Sequence, residues 1–83
     1  MTAAMTEPRA GSVVLGGHAW LARMIDKARL EAAGIIDDFD LEYPCPMDQQ
    51  LLKKLHMDGK TFQAIAVNNP ADADILQALG LAS

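Results

Sequence analysis

The sequence has a single cysteine, four aromatic residues and no long run of apolar residues. One cysteine cannot form a disulfide within the chain, and a single thiol is typical of a reducing compartment. The apolar stretch at Val13 is interrupted by Gly16, Gly17 and His18, far short of the ~20 residues that a membrane-spanning helix needs. We therefore expect a cytoplasmic protein without a membrane segment or a signal-peptide hydrophobic region.

Basic residues are also few: seven lysines and arginines face eleven aspartates and glutamates, for a formal net charge of -4. Nucleic-acid binding needs cations for the phosphates and aromatic rings for the bases, so we expect none. The 51% hydrophobic and 22% charged residues are typical of a folded domain. At this length the chain forms one core, and we expect a flexible arm over residues 1–12 and a single helical domain over residues 13–83.

The first predicted helix runs from Gly17 to Ala33, and Gly34 is suited to a left-handed cap at its C-terminal end. Helical spacing places six apolar side chains on one face, which we expect to form part of the core. These are Trp20, Leu21, Met24, Ile25, Ala28 and Ala32.

The opposite side of this helix is predicted to carry its charges, either as a neutralising partner for the acidic residues at 37–42 or as an exposed surface, and the first is favoured. It contains Arg23, Asp26 and Lys27, and the spacing of three residues allows Arg23 to pair with Asp26. Leu30 lies on the same side. An apolar residue among charges is suited to contact with a partner, so Leu30 is the candidate interface residue.

A short extended segment is predicted at residues 37–43, where apolar and acidic residues alternate. Phe39 and Tyr43 are expected to reach the core. The acidic residues are expected in water, neutralised by Arg23, Lys27 and Arg29. They lack the glycine and glutamate spacing of a calcium-binding loop, so we expect no metal site.

A second helix is predicted from Cys45-Pro46 to about His56. Cys45 is expected at the N-cap, because proline suits the first helical position and Asp48 places a carboxylate at the positive end of the helix. Its inward-facing residues are predicted to be Met47, Leu51, Leu52 and Leu55.

Two shorter helices complete the predicted domain. Asp58 is expected to cap a third helix that ends at Asn68-Asn69, and a fourth is expected between Pro70 and Gly80. The predicted fold class is therefore all-α: a compact bundle of about four short helices that cross at non-parallel angles.

Three motifs occur in a distinctive order: Leu15-Gly16-Gly17, then RMIDKAR at 23–29, then CPMD at 45–48. Together they resemble a small bacterial family known only as a domain of unknown function, whose members carry LGG, RMIDKAR and CPLD-like motifs. The resemblance extends to Leu79 and implies a common fold but no activity. Members often have proline where this chain has Ala22, which implies that the regular helix begins only near that residue.

Cys45 is the most chemically suggestive residue, because the N-terminus of a helix can activate a thiol. Asp48 opposes this effect, so a structural cap is the favoured interpretation and a reactive thiol is the alternative. With a base, Cys45 could act as a nucleophile, so the catalytic candidates are Cys45, His18 and Asp26. His56 could also supply a base, but both histidines equally suit the ends of helices.

Gly17 and Arg23 are the candidate ligand-binding residues, since glycine N–H groups at a helix start can hold an anion. Close packing of the two glycines against a neighbouring helix is the favoured interpretation, and the anion site is the alternative. No sequence pattern indicates a cofactor.

The sequence contains no specific catalytic motif. It favours a small non-enzymatic helical module that binds a partner protein or associates with itself. The alternatives are a thiol-dependent or acid-base enzyme, or a small-anion sensor, using Cys45, His18, Arg23 and Asp26.

Overall fold

A short β-hairpin, rather than a helix, is the first regular structure. The computed structural model of the protein describes residues 7–81, and in it strands β1 (Val14–Leu15) and β2 (His18–Ala19) pair antiparallel. Gly16 and Gly17 connect the strands with φ angles of 60° and 83°. A two-residue hairpin turn that matches the strand twist needs positive φ at both positions, which glycine adopts readily. The predicted helix start at Gly17 is therefore wrong.

Helix α1 (Leu21–Ala32) begins directly after the hairpin. Its N-cap is Trp20, which has a left-handed backbone with φ of 76°. This start lies one residue before Ala22, the position that the family resemblance implies. Helix α1 contacts β1, the segment that follows it and helix α3 (Gly59–Asn68), so it is covered on several sides.

Most of the charged side of α1 is buried. Asp26, Lys27 and Leu30 are only 4%, 2% and 2% exposed. Leu30 is therefore a core residue, and the prediction that it lies on an interaction surface is wrong. The two charged residues are also enclosed, and each has partners from segments distant in sequence.

The segment after α1 forms a 3₁₀ helix (Ile36–Phe39) instead of the predicted extended stretch at 37–43. Its first turn carries two aspartates, which favour the N-terminal end of a helix, and Asp40 ends it with φ of 55°. Ile36 is buried, Phe39 and Tyr43 are half-buried, and the acidic residues of the segment are exposed as expected.

Helix α2 (Pro46–Leu55) has the predicted start and end. Cys45 is the N-cap, and its backbone N–H donates a hydrogen bond of 3.0 Å to the Asp48 carboxylate. Met47 was predicted to face inward, but it is 48% exposed. Asp48 points into the protein instead, because it has polar partners there.

The last two helices are also close to prediction. Helix α3 is capped by Asp58, whose carboxylate accepts a bond of 2.7 Å from the backbone N–H of Thr61. Helix α4 (Asp72–Ala78) is followed by Gly80, with φ of 75°. The predicted cap and stop residues are confirmed.

The core lies between α1 and the later helices. Its main cluster of buried apolar side chains contains Leu21, Met24, Ile25, Ala28, Leu51, Leu52, Phe62, Ala66 and Ile75. Ala22, Leu30 and Ile36 are buried as well. Within residues 7–81 the fold is compact and mostly helical, with four α-helices and one two-stranded sheet, and the structure is 57% helical. The prediction of an all-α bundle is thus correct for the helices but omitted the hairpin. No helix in the described part is long and apolar enough to cross a membrane.

The N-terminal segment, predicted to belong to a flexible arm, packs against this body where the structure describes it. Pro8 is buried, and the carbonyl of Gly11 accepts a 2.8 Å bond from the backbone N–H of Trp20. Residues 1–6 of the predicted arm, and residues 82–83 of the predicted domain, lie outside the described residues.

Candidate functional site

Lys27 and Asp48 form an ion pair inside the protein. Their charged atoms are 2.8 Å apart, and their side chains are 3% and 0% exposed. Removing two charges from water is costly, so such a pair persists only where the surroundings satisfy its remaining hydrogen-bonding groups. Here α1 supplies the lysine and the first turn of α2 supplies the carboxylate.

Trp20 and Cys45 complete the surroundings of the pair. The Trp20 indole N–H donates to one Asp48 oxygen at 2.7 Å, and the other oxygen accepts from Lys27 and the Cys45 backbone. Lys27 also donates to the Cys45 sulfur at 3.1 Å. We call these four residues the Lys27–Asp48 cluster. It fixes the strained left-handed backbone of Trp20 at the start of α1.

The cluster opens to solvent through a cleft of about 330 Å³, which we call the Cys45 cleft. Cys45 is half-buried, and the Arg23 guanidinium lies 5.4 Å from the centre of the Trp20 ring. The lining residues are Trp20, Arg23, Lys27, Asp40, Leu41, Glu42, Cys45 and Met47. The cleft thus combines a thiol with cationic and carboxylate groups.

Asp26 belongs to a separate network with Arg9 and Asp72. Its carboxylate accepts bonds from the backbone N–H, Nε and Nη2 of Arg9, at 2.9, 2.9 and 3.1 Å. The same guanidinium donates to Asp72 at 2.7 and 3.2 Å. The two carboxylates raise the pKa of Arg9, and the hydrogen bonds from Arg9 lower the pKa of Asp72. This network ties the N-terminal segment to α1 and α4.

We expect Asp72→Asn to remove a pH-dependent part of the stability. Since the folded-state pKa of Asp72 lies below its ordinary value of 3.8, its contribution is present above that value and is lost as the pH falls through the folded pKa. The side chain is 35% exposed, so the loss at neutral pH should be only about 0.5–1 kcal/mol.

Urea unfolding of wild type and variant between neutral and acidic pH measures this effect. The difference should close as the pH falls. Asp74→Asn is the matched control, because Asp74 is an exposed carboxylate in the same helix turn. A constant difference at all pH values would contradict the assignment.

The structure brings together only some of the predicted site residues. Arg23 and Cys45 both line the Cys45 cleft, whereas Asp26 faces Arg9 elsewhere. His18 and Gly17 line a different groove, of about 350 Å³. The nucleophile and bases named from the sequence therefore do not lie in one cleft, and their catalytic role stays a prediction.

Other expected contacts are also different. Arg23 does not pair with Asp26 but donates to the Arg9 carbonyl at 3.2 Å. Arg29 donates to backbone carbonyls of α3 and the following turn. Among residues 7–81, no ion pair joins the acidic segment 37–42 to the basic residues of α1. Those carboxylates are exposed, and Asp40 and Glu42 line the Cys45 cleft together with Arg23 and Lys27.

Gly16 and Gly17 do not lie at the start of a helix, where the anion site was predicted. Gly17 lies in the hairpin turn, not at the start of a helix. A Cβ atom at Gly16 would lie 2.6 Å from the Leu76 side chain, which supports the close-packing alternative at that position. In the described part of the chain, no group of three or more histidine, cysteine, aspartate or glutamate side chains could hold a metal ion.

The burial of Lys27 was not predicted from the sequence, although its spacing from Trp20 indicated it. Lys27 follows Trp20 by seven residues, which is two helical turns, so both lie on the same side of a helix. The inward direction of Asp48 had no comparable signal, because a carboxylate in the first turn of a helix is usually exposed.

A larger apolar depression lies on the other side of the start of α2. Two hollows of about 600 and 400 Å³ share Pro44, Asp58 and Gly59, and we call them together the Pro44 groove. The first is also lined by Pro46, Gln49, Gln50, Leu52, Lys53 and Met57, and the second by Glu31, Tyr43, Lys60 and Gln63.

Tyr43 holds the wall of this groove in place. Its hydroxyl donates a 2.6 Å bond to the carbonyl of Gly59 at the start of α3. Burial, together with the negative charges of Asp48 and Asp58, raises the pKa of Tyr43, so the hydroxyl keeps its proton and the bond. The bond therefore connects the loop before α2 to the start of α3 along this groove.

The fold thus defines the class of protein: a small, mostly helical domain with an N-terminal hairpin and a buried lysine–aspartate pair. The chain belongs to the family described as a domain of unknown function (DUF5069), whose model matches residues 5–82. The expected membership in a family of unknown function is confirmed, and the family indicates no activity. A search of curated proteins found no match.

Proposed function

We propose that this domain is a non-enzymatic module that binds an extended segment of a partner protein in the Pro44 groove. The observation that carries the proposal is the size of this groove, about 600 Å³ in its larger part, between α2 and the start of α3. Ligand sites in proteins are typically ~300–1,000 Å³ and largely preformed. We place the protein in the bacterial cytoplasm, as its single cysteine and its motifs suggest.

The chemistry of the lining favours a polypeptide. Pro44, Pro46 and Met57 offer apolar surface, and the prolines have little conformational freedom to lose on binding. Gln49 and Gln50 are exposed beside this surface, where their amides can donate to and accept from a peptide backbone. An extended segment with apolar side chains matches this combination.

The alternative sites receive less support. Cys45, Asp26 and His18 lie in three different surroundings, which does not favour an acid-base enzyme built from them. The positions of Gly17 and Arg23 in separate grooves do not favour a shared anion site. Self-association is the other kind of protein interaction that the sequence favours. Sedimentation over a range of concentrations distinguishes it from binding to a different protein.

Peptides selected from a random displayed library on the full chain test the proposal. Gln49→Trp should fill the groove and raise the dissociation constant of selected peptides at least ~10-fold, or ~1.4 kcal/mol. Gln77→Trp is the matched control, since Gln77 is an exposed glutamine on α4 and outside the groove. This control should bind like the wild type.

Two results would contradict the assignment. The first is that the library yields no peptide that binds the wild-type chain. The second is that selected peptides bind Gln49→Trp and Gln77→Trp equally well. Circular dichroism of both variants should match the wild type, because both positions are exposed.

A further inference from the structure

Two reactive side-chain atoms are held in contact in the Lys27–Asp48 cluster. The Lys27 amine nitrogen lies 3.1 Å from the Cys45 sulfur, although the residues are 18 positions apart. The lysine side chain is 97% buried and is fixed by its 2.8 Å bond to Asp48, so its nitrogen cannot turn away into water. The cysteine is fixed by its backbone bond to the same carboxylate.

This contact is open to a small oxidant. Both residues line the Cys45 cleft, whose volume of about 330 Å³ admits dioxygen. The chain has one cysteine, so no second thiol in it can compete by forming a disulfide.

We propose that Lys27 and Cys45 are the site of a covalent N–O–S crosslink that forms with dioxygen. A single oxygen atom between nitrogen and sulfur spans a separation close to the observed contact. The link would join the second turn of α1 to the N-cap of α2.

The reaction balances with one dioxygen molecule. The S–H bond, two N–H bonds and the O=O bond break, and one N–O bond, one O–S bond and the two O–H bonds of a water molecule form. Nitrogen and sulfur each lose two electrons, and dioxygen accepts all four. One oxygen atom becomes the bridge, and the other leaves as water with two of the hydrogens. The third hydrogen leaves the ammonium group as a proton, for which the Asp48 carboxylate at 2.8 Å is the nearest acceptor.

The crosslink also changes the charge of the cluster. Lys27 loses its positive charge, while Asp48 keeps the bonds from the Trp20 indole and the Cys45 backbone. The modified site would thus remain hydrogen-bonded, and a thiol reductant would restore the lysine and the cysteine.

Mass spectrometry of the full chain, reduced and then held in air-saturated buffer, tests this proposal. The expected product gains one oxygen and loses two hydrogens, and it returns to the original mass with a thiol reductant. A methyl group adds nearly the same mass, but a reductant does not remove it. Tryptic digestion should leave the bond after Lys27 uncut and give one species that contains both residues.

Variants provide matched controls. Cys45→Ser and Lys27→Arg should not show the mass change, and Lys27→Arg retains the positive charge. The mass measurement on the wild-type chain does not depend on the stability of either variant, so it tests the proposal by itself. Two results would overturn the proposal. The first is the addition of whole oxygen atoms to Cys45 while trypsin still cleaves after Lys27. The second is no change in mass after exposure to air.

Discussion

Lys27→Met is expected to remove about 3–5 kcal/mol of folding free energy. The substitution leaves the Asp48 carboxylate fully buried without its cation. Methionine fills a similar volume, so the loss comes from the uncompensated charge rather than from a cavity. A domain of this size has only ~4–12 kcal/mol of stability, so a large part of it depends on this pair.

Urea unfolding followed by circular dichroism measures this effect. Lys54→Met is the matched control, since Lys54 is exposed on α2, and it should change stability by less than ~0.5 kcal/mol. If Lys27→Met and Lys54→Met both lower the free energy of unfolding by equally small amounts, the buried pair does not stabilise the fold as described.

Arg9→Met is expected to cost about 2 kcal/mol, the second largest effect. The substitution leaves Asp26, which is 4% exposed, with only the Arg29 guanidinium at 4.0 Å and a single remaining backbone donor. Hydrogen bonds to charged groups contribute ~1.5–3 kcal/mol each, but the Arg9 side chain is 35% exposed, which reduces the effect.

Arg9→Lys separates charge from geometry. A lysine keeps the charge but cannot bridge two carboxylates with a planar fork, so its loss should be intermediate. The thermal midpoints of the three proteins at neutral pH give this order. If Arg9→Met were as stable as the wild type, the N-terminal segment would not be bound to the body through this residue.

The helices after residue 45 could be predicted because their signals are local. Proline at the first position of α2, the Asp58 carboxylate three residues before the Thr61 N–H, and a glycine after α4 each act within one turn. Such features need no knowledge of the rest of the chain. The same locality explains why Cys45 was correctly placed at an N-cap.

The burial of the charged residues of α1 could not be predicted in the same way. Lys27 is buried because Asp48, 21 residues later in the sequence, points toward it and accepts its hydrogen bond. Asp26 is buried because Arg9, 17 residues earlier, donates a hydrogen bond to it. Helical periodicity treats a charged residue as exposed unless its partner is known. Leu30 was placed on the surface for the same reason, because its neighbours in the pattern were charged.

The Pro44 groove also depends on contacts that no local pattern shows. Its walls come from α1, the loop before α2, α2 itself and the start of α3. The Tyr43–Gly59 hydrogen bond connects the loop to α3. The hairpin was missed because Gly-Gly occurs both at helix starts and in tight turns. Only the positive φ at both glycines distinguishes the two.

The central claim is that Lys27 and Asp48 stabilise the fold as a coupled, buried pair. A double-mutant cycle with Lys27→Met, Asp48→Asn and the combined variant tests it most directly, with urea unfolding as the measurement. Asparagine keeps the shape of aspartate and its acceptor for the Trp20 indole. We predict that the double variant is more stable than the sum of the single losses implies, by about 2–3 kcal/mol. Additive losses would contradict the claim.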